Sequence, residues 1–282
     1  QRRGPFRLKA YLILEQVNEA ETLLDVFSQR KPTDDEFSQL SSIFAIFQRY
    51  QVSHGDLKAS NFLLNQQQKI ELIDYMEKLG IQKVDLGLPG AGIFHIEHID
   101  SMLNHIIEND YAIRPGAAVR TLMNDIQPLV DLQQKHGIQI QASAFLGTSP
   151  IRQFTEGWTM ERLLSTMETA VSFAVENDVP VMFVTEDTTR SKPEDVKMIY
   201  QRAMELGVRR LCVCDTCGHV TPNGVKKLLN FIDEEVIKDS GYMRNEIEVN
   251  WHGHQDRGLG VANNIAAVEA GADVIHGTAL GV

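Results

Sequence analysis

The chain has few cysteines, no long apolar run and no excess of positive charge. Its 282 residues include three Cys, 27 Lys and Arg, and 38 Asp and Glu, which gives a formal net charge of −11. This balance lacks the clustered Lys and Arg on which nucleic-acid and anionic-membrane binding depends. No run of about 20 apolar residues is present to cross a bilayer, and the polar start, QRRG, does not resemble a signal peptide. We therefore expect small-molecule partners, with no nucleic acid and no membrane span.

The three cysteines lie close together, at Cys212, Cys214 and Cys217. Their odd number and short spacing do not suit a disulfide framework, which indicates a reducing compartment and predicts a cytoplasmic protein. No second Cys-x-x-Cys accompanies them, so they do not complete a structural zinc site. They are either small apolar strand residues or redox-sensitive thiols near an active site.

From about residue 70, short β-rich runs alternate with longer helical stretches. This alternation predicts parallel strands joined by helices, and the regular spacing favours a (β/α)8 TIM barrel over an open doubly wound sheet. One barrel strand is missing from the count. Thr221 before Pro222 predicts a helix N-cap, and Ser191 with Glu194 predicts a capping box. The predicted strands are residues 83–88, 112–119, 138–146, 180–185, 209–214, 247–251 and 273–278.

The segment HGHQD, residues 252–256, directly follows a predicted strand. Side chains at positions i and i+2 of an extended segment point to the same side, so His252 and His254 can reach one divalent ion. The alternative is a pair of structural histidines. Glu186, Arg190 and Thr216 also follow predicted strands, and the strand ends of a barrel open on one face, where active sites form. These acidic and basic groups could instead be helix-capping and surface charges.

Residues 68–282 resemble the catalytic barrel of the 2-isopropylmalate, homocitrate and citramalate synthases. These enzymes join acetyl-CoA to a 2-oxo acid and then hydrolyse the thioester. The related lyases that cleave hydroxymethylglutaryl-CoA share the histidine pair. The resemblance rests on KVDLGLP (83–89), GTSPIR (147–152), EDTTRS (186–191), DTCGHVTP (215–222), HGHQD (252–256) and HGTALGV (276–282).

The resemblance implies a role for each site residue. His252 and His254 would bind a divalent metal, Mg²⁺, Mn²⁺ or Zn²⁺, and Thr216 would contact the keto acid. Glu186 would belong to the proton-transfer network that forms the enolate of acetyl-CoA. Charge alone suggests that Arg190 orients Glu186 or an anionic substrate group. A role in leucine biosynthesis and a possible homo-oligomer accompany this reading.

Two departures from the family pattern concern the substrate site. The family's first strand ends in Asp-x-Thr-Leu-Arg-Asp-Gly, which supplies a metal-binding acid and an arginine, and no such segment occurs in this chain. Ser143 occupies a position where several relatives have a substrate-contacting histidine. The resemblance therefore implies an incomplete barrel whose synthase activity is impaired or, in the case of a non-catalytic fusion fragment, absent.

The first 68 residues resemble a different family, the lipopolysaccharide kinases of the Kdo/WaaP type. The resemblance rests on RRGPFRLKAYL (2–12) and on HGDLKASNFLL (54–64), in which Asp56 and Asn61 have the spacing of a kinase catalytic base and its magnesium-binding Asn. Asp74 could match the later metal-binding Asp, although residues 69–76 fit a synthase helix equally well. We therefore predict a kinase-like fragment, 1–68, joined to a synthase-type barrel, 69–282, with phosphotransfer as the alternative function.

Overall fold

A computed structural model of the chain describes residues 66–278, in which seven parallel strands form one sheet. Each strand pairs with the next one along the chain, in the order β1 to β7, as in a barrel. All seven predicted strands are present, and the incomplete (β/α)8 architecture is confirmed. The strands are β1 (Lys83–Asp85), β2 (Arg114–Arg120), β3 (Gln141–Gly147), β4 (Val181–Glu186), β5 (Arg210–Asp215), β6 (Glu248–Gly253) and β7 (Val274–Ile275).

Within the described residues one helix precedes β1, and helices connect each strand to the next. They are α1 (Gln66–Lys78), α2 (Ile93–Glu108), α3 (Met123–His136), α4 (Pro150–Glu156), α5 (Met160–Glu176), α6 (Pro193–Glu205), α7 (Pro222–Phe231) and α8 (Gly260–Glu269). Short 3₁₀ turns lie at Pro89–Ala91, Thr188–Arg190, Lys238–Ser240 and Arg244–Glu246, and α7 continues into a π-helical turn, Ile232–Ile237. Within residues 66–278, no helix has the length and apolarity needed to span a membrane.

The outer face of the sheet forms the main core with the helices. Phe183, Leu211 and Trp251, from three successive strands, are fully buried there and contribute to a continuous apolar cluster. Burying side chains of this size stabilises a fold by about 1.5–3 kcal/mol each. Tyr200 of α6 closes one part of this layer, since its hydroxyl donates a hydrogen bond to the backbone oxygen of Cys212 at 2.7 Å.

The inner face of the sheet is smaller and more polar. Cys212 and Cys214 are buried there with Met182, as the first of the two cysteine interpretations predicts. Below them, Lys83 of β1 donates a 2.6 Å hydrogen bond to Glu248 of β6, so an ion pair connects two non-adjacent strands across the barrel interior.

The two edge strands of the described sheet are shorter than predicted. β1 ends at Asp85 because Gly87, at φ +123°, takes the chain out of the extended conformation before the 3₁₀ turn at Pro89–Ala91. β1 pairs only with β2, and β7 only with β6, among the residues described. Between them is the position where the predicted barrel lacks a strand.

The two predicted helix starts had different outcomes. Thr221 caps α7 as predicted, because its hydroxyl accepts a hydrogen bond from the Gly224 amide at 3.3 Å. The capping box at Ser191 is wrong: the Ser191 hydroxyl is 2.7 Å from that of Thr148 and donates to the backbone oxygen of Asp187 at 2.9 Å. Ser191 therefore connects the loops after β3 and β4, and α6 begins without a side-chain cap.

The helix α1 is connected to the barrel through two carboxylates. Asp74 accepts hydrogen bonds from His105 Nε2 at 2.6 Å and from the Tyr111 hydroxyl at 2.8 Å. Glu77 accepts from two backbone amides just before β2, at 3.1 and 3.0 Å. The proposed kinase residues Asp56 and Asn61 lie outside the described residues.

A pair of phenylalanines tests the location of the core. Replacing the fully buried Phe183 with Ala should lower the free energy of unfolding by about 3–5 kcal/mol, because it removes apolar contacts and leaves a cavity. The same change at Phe154, which is 89% exposed, should alter stability by less than about 0.5 kcal/mol. Urea unfolding followed by circular dichroism measures both. Equal losses for the two variants would contradict this packing.

Candidate active site at the barrel mouth

The site residues come together because the strand ends are in register. His252 is paired with Cys214, one residue before the end of β5, and Glu186 at the end of β4 is paired with Gly147 at the end of β3. All these strands are parallel, so their carboxyl ends lie on the same side of the sheet, which is the catalytic face of barrel enzymes. This brings His252, Glu186 and the loop that carries Thr216 to one mouth.

The two predicted metal ligands converge. His252 Nε2 and His254 Nε2 are 3.3 Å apart. Two nitrogens that each lie about 2.0–2.1 Å from one tetrahedral Zn²⁺ are separated by about 3.3–3.4 Å, so this spacing fits a shared ion. Gly253 is required between them, because a Cβ there would lie 2.8 Å from the Trp251 indole nitrogen.

The pKa of His252 is lowered to about 4, chiefly by burial and further by the neighbouring His276 and His254. The ring is therefore neutral at pH 7 and keeps a lone pair, which a metal ligand requires. The described residues contain no group of three or more His, Cys, Asp or Glu arranged to hold a metal ion. The two histidines thus fit part of a metal site, and further ligands must come from substrate, water or residues not described.

A third histidine, His276, follows β7 and packs against this pair. Its Nδ1 is 3.1 Å from His252 Nδ1, and its Nε2 is 3.4 Å from Asn250 Oδ1. The sequence interpretation missed His276, although it opens the final HGTALGV motif immediately after the last strand.

Charge alone suggested that Arg190 orients Glu186 or an anionic substrate group. In the structure Arg190 pairs with Asp187 instead of Glu186, and the contact with a substrate group stays a prediction. Its guanidinium makes a two-pronged pair with the buried Asp187, with distances of 2.6 to 3.0 Å. The basic group nearest Glu186 is Arg152, whose Nε lies 3.6 Å from the carboxylate. Thr216 faces the same loop, and its hydroxyl accepts a hydrogen bond from the Asp187 amide at 2.8 Å.

A buried carboxylate, Asp215, organises these loops. It accepts hydrogen bonds from the Thr189 hydroxyl at 3.0 Å, from the amides of His219 and Val220 at 3.2 Å, and lies 3.2 Å from the His219 ring. Its backbone oxygen accepts from the amide of His254 at 3.3 Å. Asp215 therefore connects the loops that follow β4, β5 and β6.

Asp85, at the end of β1, was also missed. Desolvation by the surrounding atoms of the concave inner face raises the pKa of Asp85 to about 6, although its side chain is exposed and hydrogen bonds from Gly87 and Ala118 act in the opposite direction. The Gly87 amide donates to its carboxylate at 2.9 Å, and solvent still reaches the residue. A carboxylate with a pKa near neutrality at a strand end is a candidate proton acceptor. The sequence prediction placed Asp85 inside a strand over residues 83–88, so it lacked the strand-end position that identified Glu186.

Two family models match the chain. The HMGL-like model covers residues 56–282, and the lipopolysaccharide kinase (Kdo/WaaP) model covers residues 1–82, so the matches overlap over residues 56–82. The structure places Asp74, within the overlap, between α1 and the barrel helices rather than at the mouth.

Curated relatives match the barrel region. The 2-isopropylmalate synthase of Oceanobacillus iheyensis is 30% identical over 220 residues, which are 78% of this chain and 41% of the relative. The homocitrate synthase AksA of Methanopyrus kandleri is 27% identical over 216 residues, 77% of this chain and 50% of the relative. The chain therefore spans about half or less of the length of these relatives.

Solved structures share the fold. The HMG-CoA lyase of Bacillus subtilis superposes with a TM-score of 0.60 at 16% identity, covering 76% of this chain and 70% of the lyase. The HMG-CoA lyase of Brucella melitensis gives 0.58 at 15% identity, with 75% and 73% covered. Because the HMGL-like model matches most of the chain, from residue 56 to residue 282, the chain belongs to the HMGL-like family.

Proposed function

We propose that the barrel is a divalent-metal-dependent site for condensing acetyl-CoA with a 2-oxo acid, as in 2-isopropylmalate synthase. The observation that carries this proposal is the convergence of His252 and His254 Nε2 at the mouth, 3.3 Å apart and in register with the loop of Thr216. The similarity to 2-isopropylmalate and homocitrate synthases supports the choice of substrates.

His252 and His254 would hold the metal, and the neutral state of His252 makes it competent to do so. When bound, a divalent cation supplies Lewis-acid polarisation of a keto oxygen and favours the alkoxide that forms from it. The described residues bring no third protein ligand to the imidazole pair, so oxygens of the keto acid would complete the coordination.

The reaction also requires a proton acceptor for the acetyl methyl group. Removing that proton gives the enolate, whose carbon attacks the keto carbon, and the resulting alkoxide takes up a proton before water releases CoA from the thioester. Asp85 and Glu186 are acidic residues that lie at strand ends, at positions on the inner face of the sheet. Asp85 suits proton removal because its pKa is near 6. Glu186, whose carboxylate lies 3.6 Å from Arg152 Nε, would instead position the substrate.

CoA release tests the proposal. Purified full chain is mixed with acetyl-CoA, a panel of 2-oxo acids, and Mg²⁺, Mn²⁺ or Zn²⁺ in turn, and free thiol is measured. We expect release that depends on the 2-oxo acid and falls at least about tenfold in His252→Ala, since removing an interaction made in the transition state lowers the rate directly. His136→Ala, in α3 outside the mouth, is the matched control. If the wild-type protein released no more CoA than His252→Ala, the proposal would be refuted. We expect modest activity, because the family's Asp-x-Thr-Leu-Arg-Asp-Gly segment is absent from the sequence.

The raised pKa of Asp85 predicts a pH effect on activity. If Asp85 is the proton acceptor, the rate should rise with pH through about 6 as the carboxylate loses its proton. Asp85→Asn should remove this limb and lower the rate at pH 7.5. A wild-type profile that is flat between pH 5 and 7.5 would exclude the role.

The same pKa predicts a pH effect on stability, which requires no activity. The folded state binds the Asp85 proton more tightly than the unfolded state, so this group's contribution to stability is greatest at low pH and is lost as pH rises through about 6. Asp85→Asn should therefore raise the thermal midpoint relative to wild type at pH 7.5, with a smaller difference at pH 4. A midpoint difference that does not change with pH would contradict the raised pKa.

The match of residues 1–82 to lipopolysaccharide kinases carries a second candidate, phosphotransfer. Its proposed groups are Asp56, as the base that accepts a hydroxyl proton, and Asn61, as a magnesium ligand. ATP turnover by the full chain that is abolished in Asp56→Ala would support it. Turnover that survives this change, or no turnover at all, would remove it.

A further inference from the structure

Behind the histidine pair lies a polar chain that runs from the base of the barrel to its mouth. Glu248 of β6 accepts hydrogen bonds from Lys83 of β1 at 2.6 Å and from the Asn250 side-chain amide at 3.0 Å. Asn250 then contacts His276 at 3.4 Å, and His276 contacts His252 at 3.1 Å. Every member lies on the inner side of the barrel, away from the apolar core.

The orientation of the Asn250 amide is fixed by its partners. Its Nδ2 lies 3.3 Å from the backbone oxygen of Leu211 and 3.0 Å from a carboxylate oxygen of Glu248. Both partners can only accept, so the amide nitrogen must face them. The Asn250 oxygen therefore faces His276 Nε2. Asn250 itself is fully buried between strands.

This orientation determines where the histidine protons lie. Because the Asn250 oxygen can only accept a hydrogen bond, His276 Nε2 must carry the proton. The Nδ1 of that neutral ring is then an acceptor. His252 Nδ1 must then be the donor across the 3.1 Å contact. The remaining nitrogen of His252, Nε2, carries the lone pair and faces His254 Nε2.

We propose that His276 is a positioning residue that holds His252 as its Nδ1–H tautomer and thereby presents the Nε2 lone pair of His252 to a divalent cation. His276 does not itself reach the ion, since both of its ring nitrogens are engaged, one by His252 and one by Asn250. The inference rests on the metal site proposed above. It deepens that site by assigning a residue to its orientation.

Ligand histidines usually donate their second N–H to an acceptor that fixes the ring, and losing that acceptor weakens metal binding about 10–100-fold. Here the acceptor is a neutral imidazole, and its own proton is directed by a neutral amide. The anionic end of the chain, Glu248, is separated from His252 by two uncharged side chains and is already paired with Lys83.

Two variants at one position separate this role from simple packing. His276→Leu removes the acceptor and keeps similar volume, whereas His276→Gln keeps a side-chain oxygen that can accept from His252 Nδ1. The control is His136→Leu, which removes a buried histidine paired with Asp100 in the helical layer. Thermal unfolding of each variant establishes that it is folded.

The first measurement is Zn²⁺ affinity, by competition with a chromophoric chelator. We expect His276→Leu to bind Zn²⁺ about 10–100-fold more weakly than wild type, His276→Gln within about threefold of wild type, and His136→Leu unchanged. Equal losses of Zn²⁺ affinity in His276→Leu and His276→Gln would overturn the tautomer argument. They would show that the site depends on the packing of the imidazole ring and not on a hydrogen-bond acceptor. Wild-type affinity in His276→Leu would also overturn it.

The second measurement uses the metal-free protein and separates this inference from the metal proposal. Long-range ¹H–¹⁵N correlation spectra report which nitrogen of His252 carries the proton. We expect Nδ1–H in wild type and in His276→Gln, and loss of that preference in His276→Leu. A wild-type His252 protonated on Nε2 would refute the role of His276. Failure of wild type to bind any of the three cations would instead refute the metal site, whatever the tautomer.

Discussion

The arrangement of the barrel mouth depends on the hydrogen bonds to the buried carboxylate of Asp215. It is inaccessible to solvent, and such a group is tolerated only when hydrogen bonds replace its hydration. Its donors come from the loop after β4 and from the loop after β5. The backbone oxygen of Asp215 accepts a hydrogen bond from the amide of His254, after β6. The placement of Glu186, Thr216 and His254 relative to one another therefore follows from satisfying one desolvated group.

The sequence predicted the strands well because each is a short apolar run followed by a polar loop, and the runs alternate regularly with helical stretches. It predicted His252 and His254 because extended geometry puts residues i and i+2 on one side. It did not predict the partner of Arg190, since three acidic residues lie within reach in sequence and only the fold selects Asp187. His276 and Asp85 were missed because their significance depends on long-range neighbours, Asn250 for one and the barrel wall for the other.

The overlap of the two family matches has a physical counterpart in α1. Residues 66–78 form a helix whose carboxylates, Asp74 and Glu77, hold the next helix and the start of β2. This segment is thus part of the barrel, which agrees with reading residues 69–76 as a synthase helix. The boundary near residue 68 stays a prediction, because the residues before 66 lie outside the described part.

The nitrogen donors of His252 and His254 have a consequence for which ions would compete for the proposed metal site. Oxygen-rich, negatively charged sites favour hard cations such as Mg²⁺, whereas imidazole nitrogens favour the later transition metals in the order of the Irving–Williams series. With two histidine nitrogens and no third protein ligand in residues 66–278, the proposed site would favour Zn²⁺, Ni²⁺ and Cu²⁺. The ion held at the proposed site would then depend on the cellular metal supply and on oxygens supplied by a substrate, more than on the protein's own charge.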